Sequence, residues 1–544
     1  MTAISDLIAR VVQDLFGQEV DVVLTRPDEQ FGDFATNVAL QLAKPLGMNP
    51  REVAQAIANS LQSQLIEKTE VAGPGFINIT LRDSTLIQAL DKPVTPMYAS
   101  KSIVIETNNP NPFKAMHIGH AFNAILGDTI ANLIQAGGAH TYRVSYHGDV
   151  GLHVGKSMYS LLNYVDGDAT KLQDIPEPER NSFMSRMYAE GSRQYKEDEI
   201  AKAEIERLTK LSFSREDLLY AAVYDTVFTW SFEQIDRNVA RLGNVPTERR
   251  FLESDAELRG VKIVRDNVPA VFKESNGALV FEGSKHGSFD NAFVSNRGTG
   301  LYAARDLGLM QLKNEQYHPQ KSYIVTAEEQ RDYFKGVIAA AELCMPDLKG
   351  QTVNIPHGMV KLPSGKMSSR NGDVVEIDWL FDQVAEAVRA RGGEPTDEMV
   401  AAVLRYQFLQ VRIGGDVVFD IENAVSVTGN SGPYLQYAHA RARSILHKAG
   451  ATGALEEGLQ SDERSLLRKI GQYTEVVDQA TQELMPHHIC NYLYELAQKF
   501  NSFYEHNRVI GDERQSVRLG LVEKYADTLK SGLELLGIHA PESM

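Results

Sequence analysis

The segment 103–146 restricts the fold of this chain more than any other. Ile103-Val104-Ile105 reads as a short apolar strand. The run Thr107-Asn108-Asn109-Pro110-Asn111-Pro112 after it is not helical, because each proline removes a backbone donor and disfavours helical geometry in the residue before it. Over 117–135, Ile118, Phe122, Ile125, Leu126, Ile130 and Leu133 recur at three- and four-residue spacing, which predicts a helix ended by Gly137-Gly138. A second strand follows at 141–146. Strand, loop, helix, strand is a βαβ unit, the opening of a parallel, doubly wound sheet. Its crossover carries neither G-x-G-x-x-G nor a P-loop, so the usual nicotinamide and NTPase readings do not apply.

The flanking regions differ in kind. Ile4, Leu7, Ile8, Val11, Val12, Leu15 and Phe16 give one apolar helical face, and Asn49-Pro50-Arg51-Glu52 has the cap, proline and acid that open a second helix. A turn at 71–75 then leads into a strand at 76–81, so 1–92 reads as an α+β domain, closed by the linker Lys92-Pro93-Val94-Thr95-Pro96. The α/β domain is expected over 100–385, with an insertion at about 155–285 containing a charged, solvated helix at 196–208. Strand Tyr323-Ile324-Val325 and a helix at 328–343 return to the α/β pattern. Beyond Gly392-Gly393-Glu394-Pro395 helical stripes dominate, such as Leu493, Leu496, Ala497, Phe500, Phe503 and Tyr504, so 395–544 reads as an all-α bundle.

Charge and cysteine content narrow the function. The sum of 55 basic and 72 acidic side chains is −17, which excludes an overall basic footprint for DNA or RNA but leaves room for a local basic face. Cys344 and Cys490 are the two cysteines; they make no disulfide framework and no thiolate zinc site, so no metal centre is expected and a reducing, cytoplasmic location is. Asp6, Arg10 and Asp14 break the first apolar stretch, unlike a signal peptide, and no uncharged apolar run approaches the ~18 residues of a membrane span.

Two motifs carry chemistry. His117-Ile118-Gly119-His120 opens the crossover helix, where free N–H groups and the positive dipole end suit a phosphate. Lys366-Met367-Ser368-Ser369-Arg370 follows Leu362-Pro363-Ser364-Gly365, a loop rich in donors that can close on a polyanion. With these two motifs, the chain resembles class I aminoacyl-tRNA synthetases, and specifically the arginyl-tRNA synthetase family. The likeness also rests on Gly32-Asp33-Phe34-Ala35, Gly73-Pro74-Gly75-Phe76-Ile77-Asn78, Asn109-Pro110-Asn111-Pro112 and Ala304-Arg305-Asp306-Leu307. It continues through His357-Gly358-Met359-Val360, Gly432-Pro433-Tyr434-Leu435-Gln436-Tyr437-Ala438-His439-Ala440-Arg441 and Phe500-Asn501-Ser502-Phe503-Tyr504.

The resemblance implies a Rossmann-like catalytic domain, activation of L-arginine by ATP with Mg2+, and transfer to tRNA(Arg) by a monomer with no DNA or membrane partner. It implies that His117, Gly119 and His120 meet ATP, that His357 and Val360 border the adenine, and that Lys366 and Ser368 lie on the closing loop. Where most class I members have a second loop lysine this chain has Ser369, and Lys114, just upstream of the crossover helix, is the candidate substitute cation. Glu106, Asn111, Tyr302, Asp306 and Gln330 are the implied arginine pocket, Glu106 and Asn111 serving the α-amino group and nearby backbone, with Asp306 as the guanidinium partner. His147-Gly148-Asp149 resembles the family's site rim, but the usual tryptophan and glutamine after it are replaced by Val150 and His153, and no role is assigned there. The N-terminal domain is implied to touch the tRNA elbow. In the C-terminal bundle, Tyr434, Gln436, Tyr437, Arg441 and Arg443 are the implied anticodon readers, since aromatics stack on unpaired bases and cations meet phosphates. A catalytically silent tRNA-binding relative is the alternative class, disfavoured because such a protein has no use for an ATP site.

Overall fold

The computed structural model describes residues 2–363 and 375–544. Its centre is a five-stranded, all-parallel sheet in the order Thr352–His357, Lys321–Ala327, Ser102–Asn108, His140–His147, Arg249–Leu252. The crossover helix Ile118–Ala136 joins the third and fourth of these and packs against Ser102–Asn108. It is buried on almost every side, so it sits at the middle of the molecule and not on its surface. Gly127 lets it approach that strand: an added Cβ would lie 2.9 Å from the Thr107 Cα.

The segment 155–285, expected as one insertion, is interrupted by the sheet itself. Arg249–Leu252 is its edge strand and the helix Glu253–Asp266 packs on Tyr302–Tyr317. Additions to the α/β plan lie on either side: four helices between Leu152 and Arg241, and a three-stranded antiparallel sheet within Phe272–Val294. An edge strand bonded on one side tolerates two arginines in four residues, and that composition hides it from a search for apolar runs. The charged helix read at 196–208 is two helices broken at Asp198, whose carboxylate accepts from the Ile200 and Ala201 amides at 2.8 and 3.1 Å and caps the second.

The N-terminal region folds into a four-stranded antiparallel sheet covered by helices Thr2–Phe16, Val38–Leu46 and Pro50–Ser60. Asn49 caps the last of these, its Oδ1 accepting from the Arg51 amide at 2.9 Å. This layer docks on the C-terminal helices: Arg464 donates to Asp33 and Asp83 at 2.6 Å each, and Arg26 forks onto Glu475. The C-terminal helices run from Asp397–Leu409 to Gln515–Leu535, but one short strand intervenes, Val417–Val418, pairing parallel with Val360–Lys361.

A buried joint ties these helices to the crossover helix. Arg405, fully buried, donates to Asp128 Oδ2 at 2.7 Å, to Asn244 Oδ1 at 2.8 Å and to the Leu536 carbonyl at 2.6 Å. Among the described residues no helix is long and apolar enough to cross a membrane, and no group of three or more His, Cys, Asp or Glu could hold a metal ion.

Candidate active site

The crossover helix begins with a stacked imidazole pair. His117 occupies the cap position, and the His120 Nδ1 accepts from the His117 amide at 3.2 Å while the two rings stack at 3.6 Å between centroids. Burial, with Lys114 adding to it, pushes His117 down to about 4; burial also holds His120 well below the ordinary imidazole range. Both rings are therefore neutral at pH 7. Since the His120 Nδ1 accepts, its proton sits on Nε2, a neutral donor suited to a phosphoryl oxygen. Gly119 makes room for the stack: a Cβ there would lie 3.1 Å from the His117 ring.

Lys114 lies beside this pair, and among the described residues its ammonium has no hydrogen-bond or ion-pair partner. Burial lowers its pKa, opposed by Glu253. His357 packs edge-on against Phe122 of the crossover helix, 4.6 Å between centroids. The side chains of His357 and Val360 are buried and that of Met359 is exposed, so Met359 and the main chain are what this segment offers a ligand. Lys366 and Ser368, with Ser369, lie outside the described residues.

A cavity of about 380 Å³ opens beyond the C-terminal ends of the parallel strands, the usual place for a ligand in an open α/β sheet. Its wall gathers Glu106, Asn111, Tyr302, Asp306 and Gln330. Tyr302 and Asp306 sit one turn apart at the start of the helix Tyr302–Tyr317, Tyr302 exposed at the rim and Asp306 deeper in. Asp306 Oδ2 accepts from the Tyr333 hydroxyl at 2.5 Å. Burial pushes its carboxyl up to about 7, the Glu106 and Glu253 charges adding to the rise while Tyr333 and Lys313 oppose it.

The other carboxylates inside the cavity already hold cations. Glu106 Oε1 accepts from Lys313 Nζ at 2.5 Å, in a pair 1–2% exposed. Glu253 accepts from Arg305 at 2.6 Å, and Arg305 reaches Glu257 at 3.1 Å. Arg305 is thus bonded elsewhere and not to its neighbour Asp306. Asp306 meets a hydroxyl, and Glu329 is exposed at the rim. Asn111 Oδ1 accepts from the Gly148 amide at 2.8 Å, which leaves that oxygen's second lone pair and the NH2 for a ligand.

Three contributors escaped the sequence reading: Lys313, Glu253 and Tyr333. Lys313 lies seven residues after Asp306, on the same helical face, and Tyr333 three after Gln330; those spacings were the available signals.

The C-terminal helix Gly432–Ala449 presents a second candidate surface. Tyr434, Tyr437 and Arg441 line a groove of about 320 Å³ with Tyr494 and Asn501. Asn501 donates to the Tyr434 hydroxyl at 2.8 Å, and the Arg441 guanidinium sits over the Tyr504 ring at 4.7 Å. Two expected members are turned away. Gln436 is 2% exposed and donates to the His539 carbonyl at 2.8 Å. Arg443 bonds Glu542 at 2.6 Å, with Asp527 at 3.7 Å. Residues seven apart share a helical face, and the face of Gln436 and Arg443 is the one covered by the chain's end.

Residues 2–81 match the family described as the arginyl tRNA synthetase N terminal domain, 85–415 the class I (R) tRNA synthetase catalytic domain, and 435–544 the DALR anticodon binding domain. The arginine–tRNA ligase of Mannheimia succiniciproducens is 30% identical over 95% of this chain and 94% of its own length, and that of Thermobifida fusca 30% identical over 99% of each. The fold is shared with the arginyl-tRNA synthetases of Thermus thermophilus (TM-score 0.81, 23% identity, 100% of both chains) and Plasmodium falciparum (0.79, 19%, 100% and 99%). With all three regions matched in order and relatives aligned over nearly their whole length, the chain belongs to the arginyl-tRNA synthetase family, among the class I aminoacyl-tRNA synthetases.

Proposed function

We propose that this chain is an arginine–tRNA ligase: it joins L-arginine to ATP as arginyl-adenylate, releasing pyrophosphate, then passes arginine to the 3′-terminal ribose of tRNA(Arg), releasing AMP. The observation that carries the reading is the charge pattern of the cavity. Among the described residues Glu106 and Glu253 are each matched by an internal cation, and Asp306 is not. A cationic substrate completes the set, and a planar guanidinium fork can take two parallel bonds to Asp306 where an ammonium cannot.

In the first step the arginine carboxylate attacks the α-phosphorus and pyrophosphate leaves. The neutral donors of His117 and His120 sit at a helix N-terminus, where negative charge builds on the phosphoryl oxygens. Lys114, which among the described residues has no carboxylate of its own, supplies the cation that Ser369 does not, and Lys366 and Ser368 contribute the remaining donors. Mg2+ comes with the ATP phosphates. In the second step a ribose hydroxyl attacks the acyl carbon. Tyr434, Tyr437 and Arg441 form the surface offered to the anticodon loop, and the N-terminal domain lies toward the tRNA elbow. We read the protein as a cytosolic monomer.

ATP–pyrophosphate exchange with each amino acid, with and without tRNA, tests the reading. Exchange supported by arginine and not by lysine is expected. Exchange with another amino acid, or none with arginine in the presence of tRNA(Arg), overturns it.

A further inference from the structure

Among the described residues Asp306 has no internal cation, yet its geometry is not left to the substrate. The Tyr333 hydroxyl donates to Asp306 Oδ2 at 2.5 Å. Oδ1 has no hydrogen-bond partner among the described residues, and Oδ2 keeps a second lone pair. The phenol comes from another element: Tyr333 sits in the first turn of the helix Arg331–Cys344, whereas Asp306 is on Tyr302–Tyr317. Behind the ring lies the three-stranded sheet added to the α/β plan. Phe281, Ser288, Phe289 and Phe293 close with Tyr333 around a gap that has no room for a water molecule. Gly336, three residues on, lets this turn approach: a Cβ there would lie 2.8 Å from Ser288 Oγ, which donates to the Asp332 carbonyl at 2.5 Å. The hydroxyl thus reaches Asp306 from a ring that packing fixes.

A guanidinium fork donates two parallel bonds in one plane, so the carboxylate that receives them must lie in that plane. The terminal torsion of an aspartate is broad when nothing holds it. A bond from a fixed donor removes that freedom before the substrate arrives and lowers the ordering cost of binding. An ammonium is a point charge with rotatable donors, and a fixed plane gives it little. The same bond favours the ionised carboxyl: burial and the Glu106 and Glu253 charges raise Asp306 to about 7, and Tyr333 and Lys313 oppose them. Tyr146 and Tyr302 also line the cavity, and burial holds both phenols above their ordinary value, so neither changes charge near neutral pH. Arg305 is held by Glu253 and Glu257, and Glu329 is exposed at the rim.

We propose that Tyr333 is a specificity-determining positioning residue: its hydroxyl, on a ring clamped by the small sheet, fixes the plane of the Asp306 carboxylate for a guanidinium and widens the preference for arginine over lysine. The proposal rests on reading the cavity as the arginine site.

The test compares the unaltered protein with Tyr333→Phe, which keeps the ring and removes the donor. Arginine and agmatine binding are measured by calorimetry between pH 6 and 8.5, lysine by competition with arginine, and ATP KM and thermal unfolding beside them. Agmatine keeps the guanidinium but lacks the carboxylate. Arginine and agmatine should both weaken ~10- to 100-fold at pH 7, the size of one lost hydrogen bond to a charged group, with ATP KM within ~2-fold. Protonation of Asp306 weakens every cationic ligand by the same factor, so the ratio of arginine to lysine affinity reports the plane alone; it should fall ~5-fold or more. Without the donor the carboxyl titrates higher, so arginine affinity should rise at least ~2-fold between pH 7.5 and 8.5, where the unaltered protein gains about 1.3-fold. An unmoved pH profile, an affinity ratio held within ~2-fold, agmatine left unweakened, or a variant that fails to fold would overturn the proposal and leave the phenol as packing. Absence of arginine-dependent exchange in the unaltered protein, with tRNA present, would instead overturn the function itself.

Discussion

Arginine binding should expel a proton, and its affinity should climb across neutral pH. In the ligand-free protein burial, together with the Glu106 and Glu253 charges, raises the Asp306 carboxyl to about 7 from its ordinary 3.8. A guanidinium stays charged throughout this range and pairs with the ionised carboxylate, so binding drives the proton off. For one titrating group the apparent Kd scales as one plus the ratio of protonated to ionised carboxyl. That factor is roughly 11 at pH 6 and roughly 1.1 at pH 8, a tenfold gain in affinity worth about 1.4 kcal/mol. About half a proton should leave per arginine bound at pH 7. Calorimetry in buffers of unlike ionisation heat, at pH 6, 7 and 8, reads both quantities. Stability follows the same linkage. A carboxyl raised in the folded state favours folding while protonated, and that contribution fades as pH climbs from 3.8 toward about 7. The ligand-free protein should thus melt lower at pH 8 than at pH 6 on this account, and arginine should raise Tm more at pH 8. Asp306→Asn should flatten the pH profile and lose about 2–4 kcal/mol in arginine utilisation, the scale of a broken buried charge pair. Arginine affinity equal within twofold at pH 6 and pH 8, with heats independent of buffer, would show that Asp306 is already ionised before arginine arrives.

Replacing His117 or His120 by alanine should slow adenylate formation in single-turnover assays by ~10²–10³-fold while ATP affinity changes far less, the mark of donors used in the transition state. Arg441→Ala should raise the tRNA KM and flatten its salt dependence, whereas Arg443→Ala, already paired with Glu542 and Asp527, should do neither. Filter binding at several salt concentrations separates them. Arg405→Met should destabilise folding by about 3–5 kcal/mol in denaturant titration, because it strands Asp128 without its nearest cation in the core; a loss under 1 kcal/mol would mean that Arg143, 3.4 Å from Asp128, suffices alone.

What the sequence discloses here divides along a physical line. Apolar periodicity is a local property, and the crossover helix, the Asn49 cap and the strand around Ile103-Val104-Ile105 are all found where the chain alone places them. The edge strand Arg249–Leu252 escaped because bonding on one side asks little of its composition. Polar residues are harder still. A lysine on a helix has the same spacing whether it faces water or a carboxylate 207 residues away, as Lys313 does with Glu106. Arg405 meets Asp128 across 277 residues, and Gln436 meets the His539 carbonyl across 103. Burial of such groups is tolerated because each finds its partner, and the partner is invisible to any local pattern.

The candidate pocket shows both sides of that line. Tyr302 and Asp306 could be paired on one helical face because they are four residues apart, and the cavity indeed brings them together with Glu106, Asn111 and Gln330. Their division of labour depends on partners contributed from elsewhere. Glu106, which by residue type could equally have been the guanidinium partner, is occupied by Lys313; Glu253, unnoticed in the sequence, is occupied by Arg305. Those internal pairs are what single out Asp306; burial, with the Glu106 and Glu253 charges adding to it, raises its proton affinity and makes its charge unwelcome until a cation arrives. The family's motifs supply the residues; the pairings among distant side chains decide which carboxylate the substrate meets.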